Sequence, residues 1–261
     1  MKKMFYFNVF KELVKADLVV FREIIFDKCI DLSIWVILTV LVMAYIMPYF
    51  GLSNNFGVFQ LGGVIAGVGL FELYRNIVDL IVDFEGDRII NYYLTLPLPS
   101  WLVILSKATY FALTSFILSL FMIPVGKLVL WNQLNLATIS YPKLLLACMC
   151  ASLFYGCFAL FAASLISGMS KIGRVWARFI FPMWFMGGFQ FSWTALHHVL
   201  PTVAFMILVN PIIYITESVR TAILGQENYI NFWLCLSVLL LCTVGFFALG
   251  IRNLKKKLDY V

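Results

Sequence analysis

Four acidic side chains with a spacing that could hold a metal ion lie between residues 79 and 87. Asp79 and Asp83 are four residues apart in an apolar stretch, and Glu85 and Asp87 follow closely. Side chains four apart share one face of a helix, and carboxylates bind hard cations. Arginines flank the group on both sides, and no phosphotransferase motif accompanies it. A hydrated or partner-facing surface is therefore the favoured interpretation, ahead of a metal site.

Motifs for nucleophilic and nucleotide chemistry are incomplete. The two histidines, His197 and His198, lie close to Pro201, and no serine stands in a GxSxG sequence. Gly126 and Lys127 lack the upstream glycine and the following Ser or Thr of a phosphate-binding loop. We therefore predict no catalytic, cofactor-binding or metal site in this chain. An intramembrane enzyme remains an alternative hypothesis.

The composition indicates that lipid surrounds most of the chain. The 261 residues are 63% hydrophobic and only 12% charged, with a mean hydropathy of +0.97. About 20 apolar residues are needed to cross a bilayer as a helix. Six such segments are predicted, at residues 32–50, 58–80, 102–126, 144–167, 173–194 and 230–251. We expect one all-α polytopic membrane domain over residues 1–261.

The basic residues predict the orientation of these spans. Lys and Arg near span ends are retained in the cytoplasm, and 16 of the 19 fall at the N-terminus, the C-terminus or the second and fourth connections. The opposite side keeps Lys127, Lys143 and Arg220. Both termini are thus expected in the cytoplasm. This distribution and anionic lipid headgroups account for the net charge of +6, so no nucleic-acid partner is expected.

Residues 1–28 are predicted to form an amphipathic helix on the membrane surface. Apolar residues recur at steps of three and four, while Lys11, Lys15 and Arg22 fall on another face. Two interpretations remain open: an anchor preceding the first span, or a helix that transmits movement from a cytoplasmic partner.

The second span contains closely spaced glycines and, towards its end, three charged residues, Glu72, Arg75 and Asp79. Gly63 and Gly67 form a GxxxG motif that lets another helix approach closely. A helix over 57–85 would be about 43 Å long, which exceeds the hydrocarbon layer. Glu72 and Arg75 are predicted to form a structural pair near a pathway through the protein.

The region 86–100 is predicted to contain a short cytoplasmic helix, over residues 87–94, between spans two and three. An acidic start is followed by an amphipathic piece and by two prolines. Such a helix can seat in a groove on another protein, although an ordinary interfacial turn is the alternative. The residues assigned to coupling with that protein are Asp87, Arg88, Ile89, Tyr92, Tyr93 and Leu94.

Residues 194–229 predict a re-entrant hairpin, because neither of its apolar pieces can cross the bilayer. Asn210 is expected to cap the second helix, Pro211 to take its first position, and Gly225 to end it. Irregular backbone at membrane depth survives only when buried or lining a cavity. The hairpin is therefore expected to form an outer gate, in which Glu217 and Arg220 pair with each other. The residues assigned to this gate are Asn210, Pro211, Tyr214, Glu217 and Arg220.

Three stretches resemble the ABC-2 type transporter permeases, the membrane subunits of certain ATP-binding-cassette exporters. Residues 210–214, followed by Arg220 and Leu224-Gly225, resemble the NPhhY…R…hLG stretch (h, hydrophobic) before the last span. Met186 to Phe189 with Leu200-Pro201 resemble the segment ending the fifth span, and Asn91 to Lys107 resemble the coupling-helix region.

The resemblance implies a half-transporter in a bacterial cytoplasmic membrane. Two such permeases, forming a homodimer, would pair with two copies of a nucleotide-binding ATPase that binds ATP and magnesium. The cargo would be a lipid, a lipid-linked glycan or a drug, with Phe185, Phe189 and Gln190 beside the pathway. This chain itself would be a transport subunit and not an enzyme. A membrane anchor for a cytoplasmic partner, without transport, is a further alternative.

Overall fold

The computed structural model describes residues 2–53, 55–87, 89–95, 98–166 and 168–259, and within these ranges all regular structure is helical. The α-helices are α1 (Lys2–Leu41), α2 (Phe56–Val82), α3 (Ile89–Thr95), α4 (Ser100–Val129), α5 (Tyr141–Leu165), α6 (Ile172–Val175), α7 (Phe181–Phe185), α8 (Trp193–Val199), α9 (Pro201–Ile207), α10 (Pro211–Leu224) and α11 (Phe232–Asp259). Three π-helical turns and three short 3₁₀ turns are at Val42–Ile46, Asp83–Asp87, Trp176–Ile180, Met47–Phe50, Leu136–Thr138 and Met169–Lys171.

Five helical stretches within the described part of the chain are long and apolar enough to cross a membrane. They comprise α1 with its following turns, α2, α4, α5 and α11. A multi-pass, all-helical membrane protein is thus confirmed at this level. A further pair, α9 and α10, passes the same test only jointly and is bent by 99°.

The N-terminal segment differs from the expectation of a surface helix separate from the first span. Residues 2–41 form one uninterrupted α-helix of 40 residues. The reason lies in the sequence: these residues include no glycine and no proline, the two residue types that interrupt helices most strongly. Asp17 of α1 contacts Lys107 of α4 at 2.8 Å, so this helix packs along α4 well before the predicted span begins.

The predicted fifth span, 173–194, is shorter and less regular than expected. Its helix comprises α6, a π-helical turn and α7, and it ends at Phe185. Residues 172–185 extend about 21 Å at 1.5 Å per residue, less than the hydrocarbon thickness of about 30 Å. The chain then turns at Gly188, whose φ of 75° is readily adopted only by glycine. A Cβ there would also lie 2.4 Å from Ile213.

Small residues allow the helices to pack closely around α2 and α5. Tyr155 of α5 lies over Gly69 of α2, where an added Cβ would be 2.1 Å from its ring, and its hydroxyl donates to Ala66 O at 3.1 Å. A Cβ added at Gly156 would lie 2.5 Å from Ala108 O of α4. Small side chains therefore determine the helix spacing, as expected where lipid supplies little hydrophobic driving force.

The two ends of the helix bundle are defined by contacts between elements. At one end, Tyr45 after α1 donates to Val129 O of α4 at 2.8 Å, and Ser140 N before α5 donates to Ala222 O of α10 at 2.9 Å. At the other end, Asn253 of α11 contacts Ser164 of α5. Hence α5 and α11 run parallel, and α11 begins at the end opposite to that where α5 finishes.

Candidate functional site

Arg220 is fully buried and binds backbone carbonyl groups instead of a carboxylate. Its Nε donates to Phe59 O at 3.2 Å, and Nη2 donates to Phe189 O at 2.7 Å. Nη1 donates to Gly188 O and Phe191 O. The guanidinium also lies 3.6 Å from the centroid of the Phe59 ring. Four of its five N–H donors are thus directed at α2 and at the turn after α7.

Glycines in α2 create the space for this arginine. A Cβ at Gly62 would lie 2.8 Å from Arg220 Cγ, and one at Gly63 would lie 2.9 Å from Arg220 Nη2. Of the two GxxxG glycines, Gly67 would place a Cβ 3.4 Å from Phe189 and Trp35, whereas Gly63 does admit a neighbouring helix, as predicted. That helix is α10, and the residue that fills the space is the buried arginine.

Glu217 joins the two ends of the segment that contains α8, α9 and α10. Its Oε1 accepts a hydrogen bond from Trp193 N and its Oε2 accepts one from Ile230 N, both at 2.9 Å. Glu217 itself is fully buried. A single carboxylate thus fixes the first residue of α8 and the loop before α11 at one place.

The predicted pairing of Glu217 with Arg220 is wrong. No ion pair joins these two described residues, although they are one helical turn apart. Each instead binds backbone groups of other segments: Glu217 binds N–H groups before and after the hairpin, and Arg220 binds carbonyl groups of α2 and of the turn after α7. The physical reason is that irregular backbone leaves N–H and C=O groups without partners, and these groups are costly to bury.

Asn210, Pro211 and Gly225 define the two ends of α10 as predicted. Asn210 Oδ1 accepts from Ile212 N at 3.1 Å, which caps the helix, and Pro211 occupies the first turn. Asn210 Nδ2 also donates to Met183 O at 2.7 Å. Tyr214 donates from its hydroxyl to Leu208 O at 2.9 Å. Gly225 ends the helix with a φ of 98°.

A cavity of about 240 Å³ lies between α1 and α2 and is lined by both charges and aromatic rings. Its lining residues are Lys28, Asp31, Leu32, Trp35, Phe71, Glu72 and Arg75. Two basic and two acidic side chains therefore face one volume whose wall is otherwise apolar.

The ion pair at this cavity differs from the predicted one. Glu72 pairs with Lys28 of α1, and both are buried, whereas Arg75 is exposed. Glu72 faces α1, and the charge of Lys28 on that helix is also buried, so the two opposite charges pair. The sequence did not point to Lys28, Asp31 and Trp35. Lys28 and Glu72 are 44 residues apart, and a contact between residues so distant in sequence leaves no local pattern. The sequence did contain one indication of this pair, because a lysine and a glutamate stand at the edges of adjacent apolar runs.

Phe189 connects this cavity with the arginine site. Its ring stacks on Trp35 with centroids 5.9 Å apart and lies 5.2 Å from Trp184, while its carbonyl accepts from Arg220. Phe185 and Gln190 are exposed, and Phe185 contacts other rings of its own helix. Of the predicted pathway residues, the structure thus brings together Glu72, Arg75 and Phe189.

The short helix predicted between spans two and three is present as α3. Asp83 accepts hydrogen bonds from Ile89 N at 2.7 Å and Ile90 N at 3.0 Å, so it supplies the acidic cap. Ile90 is buried, whereas Ile89 and Tyr92 are exposed. Arg88 and the side chains of Asp87 and Leu94 lie outside the described residues.

Residues of α1 and α4 converge on this short helix. Lys107 Nζ lies 5.3 Å from the ring centroid of Tyr93 and 2.8 Å from Asp17 of α1. Both side chains of this pair are largely buried. A displacement of α3 would therefore act on α1 and α4 directly.

Comparison of this chain with protein-family models, curated proteins and solved structures finds no match.

Proposed function

We propose that this chain is the permease subunit of an exporter that is driven by a separate ATP-binding-cassette ATPase. The sequence resemblance to ABC-2 permeases suggests this class. The observation that carries the proposal is the attachment of Trp193 and Ile230 to the carboxylate of Glu217. It supports the outer gate that such a permease requires.

The attachment supports a re-entrant segment because the chain returns to its starting point. Trp193 and Ile230, at the two ends of this segment, both donate to the carboxylate of Glu217. The segment therefore starts and ends at the same place, so α9 and α10 do not make a net crossing. However, α5 ends opposite the start of α11, and one crossing between them is required. Residues 166–192, including the short helix 172–185, are the part of the chain left to make it. This supports six crossings with both termini on the cytoplasmic side.

The cargo we propose is an amphiphile. Lys28, Asp31, Glu72 and Arg75 offer charges of both signs to a polar group, while Trp35 and Phe71 offer an apolar wall. Aromatic faces can stack on sugar or drug rings. Three of the four carbonyl groups that bind Arg220 belong to the turn directly beside this wall, so opening of the gate and access to the cavity would be linked.

The surface proposed to receive the ATPase comprises α3 and the beginning of α1. Ile89 and Tyr92 are exposed on α3, and Met4, Phe5 and Phe7 are exposed on α1. Asp17 and Lys107 join α1 to α4 beneath α3. Two ATPase subunits would bind a pair of identical permeases, since each permease presents one such surface.

The experiment is co-expression with an ATPase encoded in a neighbouring reading frame, followed by purification and reconstitution in lipid vesicles. Ile89→Asp combined with Tyr92→Asp, and separately deletion of residues 87–94, should reduce co-purification and uncouple ATP hydrolysis from transport. Trp131→Asp is the matched control, because Trp131 is 66% exposed at the opposite end of the bundle.

Three outcomes would contradict the proposal. An intact complex with unaltered ATPase coupling after both changes would refute the role of α3. A stable complex that moves no lipid, glycan or drug would favour the membrane-anchor hypothesis. Chemical conversion of a lipid or peptide without any ATPase would instead favour the intramembrane enzyme.

A further inference from the structure

A second, larger cavity lies on the side of the molecule formed by α5, the α6–α7 segment and α11. Its volume is about 820 Å³, which is in the range of ligand pockets. The lining side chains are apolar apart from Asn210 and Cys242, and they include three methionines, Met183, Met186 and Met206. Methionine adapts its shape to flexible apolar ligands.

This cavity opens sideways and is separate from the charged cavity. Phe179, Met206 and Val209 line it and are 64%, 68% and 88% exposed. The two cavities share no lining residue. In a protein with five membrane-length helices, a lateral apolar opening faces the hydrocarbon layer. An apolar volume of this size gives water no polar partners, whereas lipid chains are present around it.

The charges beside the cavity indicate the polar part of its occupant. Val175 and Phe179 line the cavity, and Arg174 and Arg178 directly precede them in sequence. Both arginines are exposed and form no ion pair with any residue that the structure describes. The sequence has no Asp or Glu between Asp87 and Glu217. A negatively charged group near these arginines therefore meets no acidic side chain from the surrounding helices α5, α6 and α7.

We propose that a membrane phospholipid occupies this site, with an acyl chain in the cavity and its phosphate beside Arg174 and Arg178. The inner end of the cavity, at Leu165 and Val175, is adjacent to these arginines. Its other end reaches Pro211 at the start of α10. The acyl chain thus extends from the basic residues to the base of the segment that Glu217 closes. This inference does not depend on transport.

The test uses phosphatidylglycerol with a photoreactive diazirine at the end of one acyl chain. The purified protein is reconstituted in vesicles of phosphatidylcholine and phosphatidylglycerol, irradiated, and mapped by mass spectrometry. We expect adducts on Met183, Met206 and Pro211. Adducts at Leu241 and Val244, which are 74% and 68% exposed on α11, report ordinary contact with bulk lipid.

Two sets of variants test the acyl-chain and headgroup parts separately. Ala162→Trp fills part of the cavity with an indole, which excludes the acyl chain by steric overlap, and it should lower labelling there about tenfold. Ala248→Trp, on the exposed face of α11, should not change it. Arg174→Gln with Arg178→Gln should lower phosphatidylglycerol labelling by about tenfold.

The double arginine variant keeps the test valid if Ala162→Trp fails to fold, because both arginines are exposed. Cavity labelling no stronger than that of Leu241 and Val244 would overturn the proposal. Labelling that is unaffected by the arginine substitutions would overturn it as well. Crosslinks between two copies through Val209 would assign the opening to a second copy, which also contradicts a resident lipid.

Discussion

Glu217→Gln tests whether one carboxylate closes the segment from Trp193 to Ile230. Both partners of the carboxylate are backbone N–H donors. A glutamine side chain of the same size has one acceptor oxygen, so it can accept from one of them, and its NH₂ group faces the other donor. The substitution therefore removes one end of the attachment without creating a void.

The magnitude follows from the type of hydrogen bond that is lost. A hydrogen bond to a charged group contributes about 1.5–3 kcal/mol, and a buried donor left without a partner has a comparable cost. We expect the free energy of local opening to fall by about 2–3 kcal/mol, which corresponds to roughly 30- to 150-fold faster amide exchange. The faster exchange should be confined to residues around Trp193 and Ile230.

The assay is hydrogen–deuterium exchange with mass spectrometry on the protein in lipid nanodiscs. Ser218→Ala is the matched control: Ser218 is the next residue and equally buried, but its hydroxyl bonds only to Ile215 O within the same helix. It should leave both peptides unchanged. If Glu217→Gln exchanged like this control at both ends, the carboxylate would not hold the segment closed, and the argument for a re-entrant path would fail.

Three further substitutions test the buried polar contacts and the helix packing, each by its thermal unfolding midpoint in detergent. Arg220→Lys keeps the charge but should destabilise by about 3–5 kcal/mol, because an ammonium group cannot reach four carbonyls; an unchanged midpoint would refute the arginine site. Lys28→Met should destabilise by about 3–5 kcal/mol by leaving Glu72 buried and unpaired, and adding Glu72→Met should restore most of that loss; additive losses would contradict the pair. Gly69→Ala should destabilise by about 1–3 kcal/mol through a clash with a ring of α5, while Gly245→Ala, with nothing within 4 Å of the added Cβ, should not; equal effects would contradict the close packing.

The features that sequence predicted well are those controlled by local chemistry. Hydropathy located five of the six predicted spans as membrane-length helices, and the Asn-Pro step with Gly225 located both ends of α10. The short helix before α4 was predicted from its amphipathic pattern and the prolines after it. In each case a few adjacent residues determine the backbone conformation, so no knowledge of distant contacts was needed.

The features that sequence did not predict depend on contacts between distant residues. Lys28 and Glu72 are 44 residues apart, and Phe59 and Arg220 are 161 apart. For Arg75, proximity in sequence suggested a partner that the fold does not provide. The continuity of α1 was predictable in principle, because the absence of glycine and proline is visible in the sequence, but the change in hydropathy near residue 28 obscured it.

The contrast between Glu217 and Arg220 explains why opposite charges one turn apart do not bind each other. In an apolar environment, each unpaired backbone group is costly, and the turn at Gly188 and the loop before α11 have several such groups in irregular conformations. An ion pair between Glu217 and Arg220 would give each of these side chains a partner, but it would leave the backbone groups without hydrogen bonds. By binding two N–H groups and three C=O groups outside α2 instead, the two residues provide what a regular helix would supply internally. Non-helical backbone can therefore exist beside α2 without water, and its stability depends on one turn of α10.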